Sequence, residues 1–152
     1  MNFKRNLVVL LMATILLSGV KAMATNASDP QIEGTWEVTV NLNDPNLPPS
    51  FAALETYTRD GGMITSNNMP FLTRVGQGGW EKRDQQYVVK IKFFRFDPNG
   101  LPAGTIAVTH TISLDSKNEY SGNGTAVFCE LDGVTCQSVG FTSTGRRLNP
   151  EP

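Results

Sequence analysis

The chain has 152 residues, with 13 Lys plus Arg against 14 Asp plus Glu, one His and two Cys. A near-neutral balance without a basic run excludes the electrostatic footprint of a nucleic-acid binder. Two cysteines and one histidine fall short of the four ligands of a structural zinc site, so no metal and no cofactor is expected.

The first 24 residues read as a secretory signal peptide. Lys4 and Arg5 precede a nearly unbroken apolar stretch over residues 7–20, and small residues follow at Ala22 and Ala24. That is the order of a charged start, an apolar middle and a small-residue cleavage site. Cleavage after Ala24 is preferred, with Ala22 as the alternative. A membrane anchor is disfavoured, because roughly 14 apolar residues fall short of the ~20 that span a bilayer. No cysteine follows for lipid attachment. Removal takes away Lys4, Arg5 and Lys21 and no acid, leaving 10 basic and 14 acidic residues, a net charge of −4. The mature protein is then expected to be secreted or periplasmic and free of the membrane. Residues 25–31 form a flexible leader, 32–148 one domain, and 149–152 a tail.

Within the domain the patterning is that of short strands. The first opens at Gly34-Thr35-Trp36 and sets Trp36, Val38 and Val40 against Thr35, Glu37 and Thr39. Residues 43–50 carry three prolines and cannot join a central ladder, so they form a loop, a candidate cap over one end. Residues 51–59 are the next strand, Asp60-Gly61-Gly62 turns it into 63–66, and residues 67–76 are irregular. A further strand over 78–83 leads through a turn at 84–86 into the long hairpin of residues 87–114. In its second arm Ile106, Val108, His110, Ile112 and Leu114 alternate strictly with small and polar residues, the mark of a half-buried antiparallel strand. The only histidine therefore lies on the apolar face.

The first arm of that hairpin contains a conflict. Tyr87, Val89, Ile91 and Phe93 share a face, and continuing the alternation would bury Arg95 and expose Phe94 and Phe96. A β-bulge at Phe93-Phe94 would reverse the parity and bring both phenylalanines inside, and this reading is preferred. The competing one leaves Phe94 and Phe96 outside as a contact patch for a second subunit.

After a turn at 115–119, residues 120–131 and 134–148 form a last hairpin around Asp132-Gly133, a strong two-residue turn signal. Cys129 and Cys136 are symmetric about that turn, so they face each other across the strands at a separation a disulfide tolerates. An exported chain meets an oxidising compartment, and a structural Cys129–Cys136 bridge is predicted. Eight short strands with turn signals and no helical periodicity make an all-β meander. Closing it into an eight-stranded antiparallel barrel, rather than a sandwich, removes unpaired edges.

An early Gly34-x-Trp36 on the first strand, a meander, and Arg146 or Arg147 on the last resemble the lipocalin and wider calycin pattern. The block from Tyr57-Thr58-Arg59-Asp60-Gly61 through Gly79-Trp80 to Gly104 is similar to lipocalin-like and allene-oxide-cyclase-type barrels. The resemblance covers residues 32–148 and implies a tryptophan at the closed end of the barrel, covered by the terminal arginine. The helix that standard lipocalins carry before the tail has no counterpart here.

His110 is the sharpest candidate for chemistry, as a general base or ligand-orienting group, against its plainer role as a satisfied core histidine. Glu55 shares a face with Phe51, Ala53 and Tyr57. Facing inward it would be an acid or base with a raised pKa, with Arg95, Arg74 or His110 as partner; the preferred reading leaves it solvated outside. Trp36 and Trp80 are expected as barrel plugs and Arg147 as the cover of Trp36. No nucleophile elbow or phosphate-cradling loop occurs. Three functions follow. The first is a barrel that binds a small, mainly apolar ligand lined by Tyr57, Tyr87, Phe93 and His110. The second is a cyclase or isomerase, which needs shape more than reactive groups and would polarise its substrate with Glu55 or His110. The third is a cavity-free interaction or oligomerisation module using Phe94 and Phe96.

Overall fold

The computed structural model describes residues 31–69 and 75–149. The predicted signal peptide and most of the leader lie outside the described residues. Eight strands follow in chain order: β1 (Gly34–Leu42), β2 (Ser50–Tyr57), β3 (Gly62–Asn67), β4 (Val75–Arg83), β5 (Gln86–Phe96), β6 (Pro102–Leu114), β7 (Glu119–Cys129) and β8 (Cys136–Arg147). Each pairs antiparallel with the next, and β8 pairs with β1 from Trp36↔Arg147 to Leu42↔Phe141. The sheet is therefore a closed barrel in simple up-and-down order, and the all-β barrel expected from the turn spacing is what forms. No described helix is long and apolar enough to cross a membrane.

Period-2 alternation decides what fills the barrel. Trp36, Val38 and Val40 point inward from β1, Tyr87, Val89, Ile91 and Phe93 from β5, and Ile106, His110 and Ile112 from β6. Their neighbours on β4, β7 and β8 include inward glycines that act as sockets for aromatic rings. A Cβ at Gly76 would strike the Phe93 ring, one at Gly124 the Phe141 ring, and one at Gly145 the Tyr120 ring. Large rings fit into a narrow barrel because the strand beside each gives up its side chain.

Two expectations are overturned. No bulge occurs at Phe93-Phe94. The β5–β6 register runs unbroken from Gln86↔Ser113 to Arg95↔Gly104 and shifts only between Arg95 and Phe96. Phe94 and Phe96 are consequently 68% and 46% exposed. The cost that a bulge would avoid, a buried arginine, does not arise. Arg95 lies at the last turn of the barrel, where its guanidinium reaches Glu130 at 3.3 Å and the Cys129 carbonyl at 3.4 Å. The second correction concerns Glu55, which is inside and only 5% exposed, while Leu54 is the outward residue at 46%. Pairing fixes this parity: Trp36 lies opposite Glu55, and Val38 opposite Ala53, so the face of β2 that continues the buried face of β1 carries the carboxyl.

Element ends differ from the sequence reading by a few residues, most at the last hairpin. There β7 stops at Cys129 and β8 starts at Cys136, with Glu130 N–H donating to the Thr135 carbonyl at 2.9 Å across the turn. The two cysteines pair as Cα neighbours 4.1 Å apart and are bridged, S–S 2.03 Å.

Candidate functional site

The two ends of the barrel are built differently. At one end Trp36 is fully buried, its Nε1 donating to the Ile32 carbonyl at 2.7 Å. The Arg147 guanidinium lies 4.2 Å from the Trp36 ring centre, a cation–π distance. The same group donates to the carbonyls of Lys117 (2.8 Å), Gln31 (2.6 Å) and Glu33. These contacts tie the segment before β1 and the β6–β7 turn to the last strand, and the end is sealed.

Above this plug lies a buried acid. Tyr57 Oη donates to Glu55 Oε2 at 2.5 Å and Tyr120 Oη donates to the same oxygen at 2.9 Å. Burial pushes the Glu55 carboxyl above its ordinary range, and the two donated hydrogen bonds offset part of that rise. Burial likewise holds both tyrosine hydroxyls well above theirs. None of the expected partners serves. Arg95 is engaged at the far rim, Arg74 lies outside the described residues, and His110 has its own partner. Among the described residues, Glu55 Oε1 has no hydrogen-bond partner.

His110, 2% exposed on β6, sits with Nε2 2.7 Å from Ser143 Oγ on β8. The bond reaches across β7 because the residue between is glycine: a Cβ at Gly122 would strike both atoms. Burial lowers the His110 pKa to about 4, so the imidazole is neutral at neutral pH. Its ring lies 5.3 Å from that of Phe141. A serine within reach of an imidazole is the start of a nucleophile–base pair. Ser143, however, does not border the cleft described next, so a molecule there would not meet its oxygen.

From these two groups a cleft of about 70 Å³ runs toward the end of the barrel opposite Trp36. Glu55 and His110 stand at its inner part, and Phe51, Phe93, Phe128 and Phe141 are among its walls. A larger hollow, about 910 Å³, is instead a depression of the outer wall over β1, β2 and β8, whose Glu37 and Arg146 pair at 3.5 Å. Exposed Glu37, Thr39, Asp115 and Glu119 are among its lining, whereas the small cleft is bordered by the buried Glu55 and His110.

Of the four ligand-lining residues expected from the sequence, Phe93 and His110 border the cleft. Tyr57 and Tyr87 are buried but do not. Tyr57 instead braces Glu55, and Tyr87 packs edge-on against Trp80, ring centres 5.6 Å apart. Trp80 stays partly exposed, its Nε1 donating to the Thr58 carbonyl at 2.9 Å. Tyr120, Ser143 and Phe141 were missed. A usable signal existed: Tyr120, Gly122, Gly124 and Ala126 alternate through β7 as one large and several small inward residues, the socket pattern of a barrel wall. Among the described residues no three His, Cys, Asp or Glu side chains group to hold a metal.

The chain matches no family model, no curated protein and no solved structure. The closed eight-stranded antiparallel barrel is compatible with a lipocalin-like barrel.

Proposed function

We propose that this chain is a secreted or periplasmic binding barrel that takes the end of a small, mainly apolar molecule into the cleft above Glu55 and His110. The observation that carries this reading is the composition of the cleft: aromatic and aliphatic walls converging on a neutral imidazole and on a carboxyl oxygen that has no partner among the described residues. Apolar walls with a few placed polar groups are what small-molecule sites share. The cleft is smaller than the ~300 Å³ at which such sites usually begin, so a ligand inserts its narrow end and leaves the rest at the mouth. Export is supported by the signal-peptide pattern before residue 25 and by the Cys129–Cys136 bridge.

The test fills the cleft. Ala126 lies inside it and is 6% exposed, so Ala126→Leu occupies the space with little new surface. Titration of the mature protein with butan-1-ol, followed by amide chemical shifts, should move Phe93, Ala126 and Phe141 in the wild type and leave them unmoved in the folded variant. Equal shifts in both would reject the cleft as the binding site. The cyclase or isomerase reading uses the same two polar groups. It would be favoured by a Glu55→Gln variant that loses turnover of a bound unsaturated compound while keeping its affinity.

A further inference from the structure

Resting on the cleft reading above, we infer that the preferred ligand carries a cationic amine head, an alkylammonium, and that carboxylates are rejected. Three observations combine. Glu55 is 5% exposed, and among the described residues no cation pairs with it. Burial without a cation pushes the Glu55 carboxyl toward its protonated form, and a cation bound beside it supplies the partner that lets a buried carboxylate keep its charge. Both tyrosine hydroxyls donate to Oε2, which leaves Oε1 as the atom that can accept from a ligand bordering the same cleft.

The walls agree with the floor. Among the described residues no lysine or arginine borders the cleft, so none of them would neutralise an anionic head beside the Glu55 carboxyl. Phe51, Phe93, Phe128 and Phe141 border it instead, and the face of an aromatic ring attracts a cation. Among the described residues the titratable groups that face Glu55 are two un-ionised tyrosines, and His110 in the same cleft is neutral, so none of these competes with an ammonium for the carboxylate. The narrow space admits a primary ammonium and the first carbons of its chain, and it excludes bulky heads.

Three probes of one length separate the heads: butylammonium, butan-1-ol and butyrate, each titrated into the mature protein at pH 7 with amide shifts of the cleft residues as readout. Butylammonium should bind about tenfold or more tighter than butan-1-ol, as a charge-assisted hydrogen bond outweighs a neutral one, and butyrate should not bind. Glu55→Gln, with its folding confirmed by dispersed amide spectra, should bring butylammonium down to the level of the alcohol or below. Butyrate binding as tightly as the amine, or an alcohol equal to the amine, would overturn the inference and leave the cleft reading standing. Failure of all three probes to perturb the cleft would overturn both. The wild-type comparison decides the matter even if the variant does not fold.

Discussion

The two ends of this barrel obey one alternation rule and use it for opposite purposes. At the Trp36 end large rings fill the interior: Trp36, Tyr57, Tyr87 and Tyr120 are all at most 2% exposed, and the ring centres of Trp36 and Tyr120 lie 5.0 Å apart. At the Phe141 end the inward phenylalanines stand back enough to leave the cleft, while Phe94 and Phe96 are turned outward. Density at one end supplies stability, since fully packed interiors are where volume changes cost most. Spare room at the other supplies a site. Glu55 and His110 lie where these regions meet, buried enough to have shifted pKa values and near enough to the cleft to use them.

If that division holds, the largest loss of stability should come from the sealed end. Trp36→Ala removes the plug and strands the Arg147 guanidinium above a void, and should cost about 3–5 kcal/mol, read as a fall in the urea midpoint of the mature protein. A loss under about 1 kcal/mol would mean that the sealed end is not the seat of stability. The next effect tests the boundary layer. His110 has its pKa depressed from 6.5 to about 4, so the unfolded chain takes up a proton that the folded one refuses. That contribution is complete above pH 6.5 and disappears as the pH falls to 4, a loss of about 3 kcal/mol. Glu55 acts with the opposite sign. Its raised pKa contributes below pH 4.5 and fades as the pH rises through its folded value. Asp60 and Asp132 are lowered from 3.8 by hydrogen bonds at the surface, so their acid loss falls below this window. The urea midpoint should therefore fall from pH 7 to pH 4 in the wild type and fall less in His110→Gln, whose amide can still reach Ser143. Identical pH profiles for the two proteins would remove His110 from the account.

How much of this was legible in the sequence follows the strength of the alternation. In β6 five apolar-face positions in a row put His110 inside without ambiguity, and two cysteines symmetric about Asp132-Gly133 could only face each other. Glu55 was misplaced because β2 offers little contrast: Phe51, Ala53 and Tyr57 share its face, against Ala52, Leu54 and Thr56 on the other. The deciding information was the pairing with Trp36 and Val38, which is not local. Its hydrogen-bond partner Tyr120 is 65 positions away. The error at Phe94 had another origin. An inward arginine is costly in the middle of a barrel and cheap at its rim, and no pattern in residues 87–96 says how close Arg95 lies to the end.

The smallest expected effect bears on that same rim. Val75, Phe94, Phe96 and Leu101 are all 46% exposed or more, on β4, β5 and the turn after it. The double change Phe94→Ser with Phe96→Ser removes two rings from water rather than from the core, so it should alter the urea midpoint by no more than about 0.5 kcal/mol. Its effect should instead show in contact between molecules, since exposed apolar patches are what drive association. Sedimentation velocity over a rising concentration series should give a weaker increase in mean mass for the variant than for the wild type. A destabilisation approaching that of Trp36→Ala would place the two rings inside and restore the bulge at Phe93-Phe94. Unchanged stability with unchanged association would keep the parity of β5 but leave the aromatic rim without a role in contact. Because stability and association are read separately, the experiment distinguishes the register of the strand from the use made of its outer face.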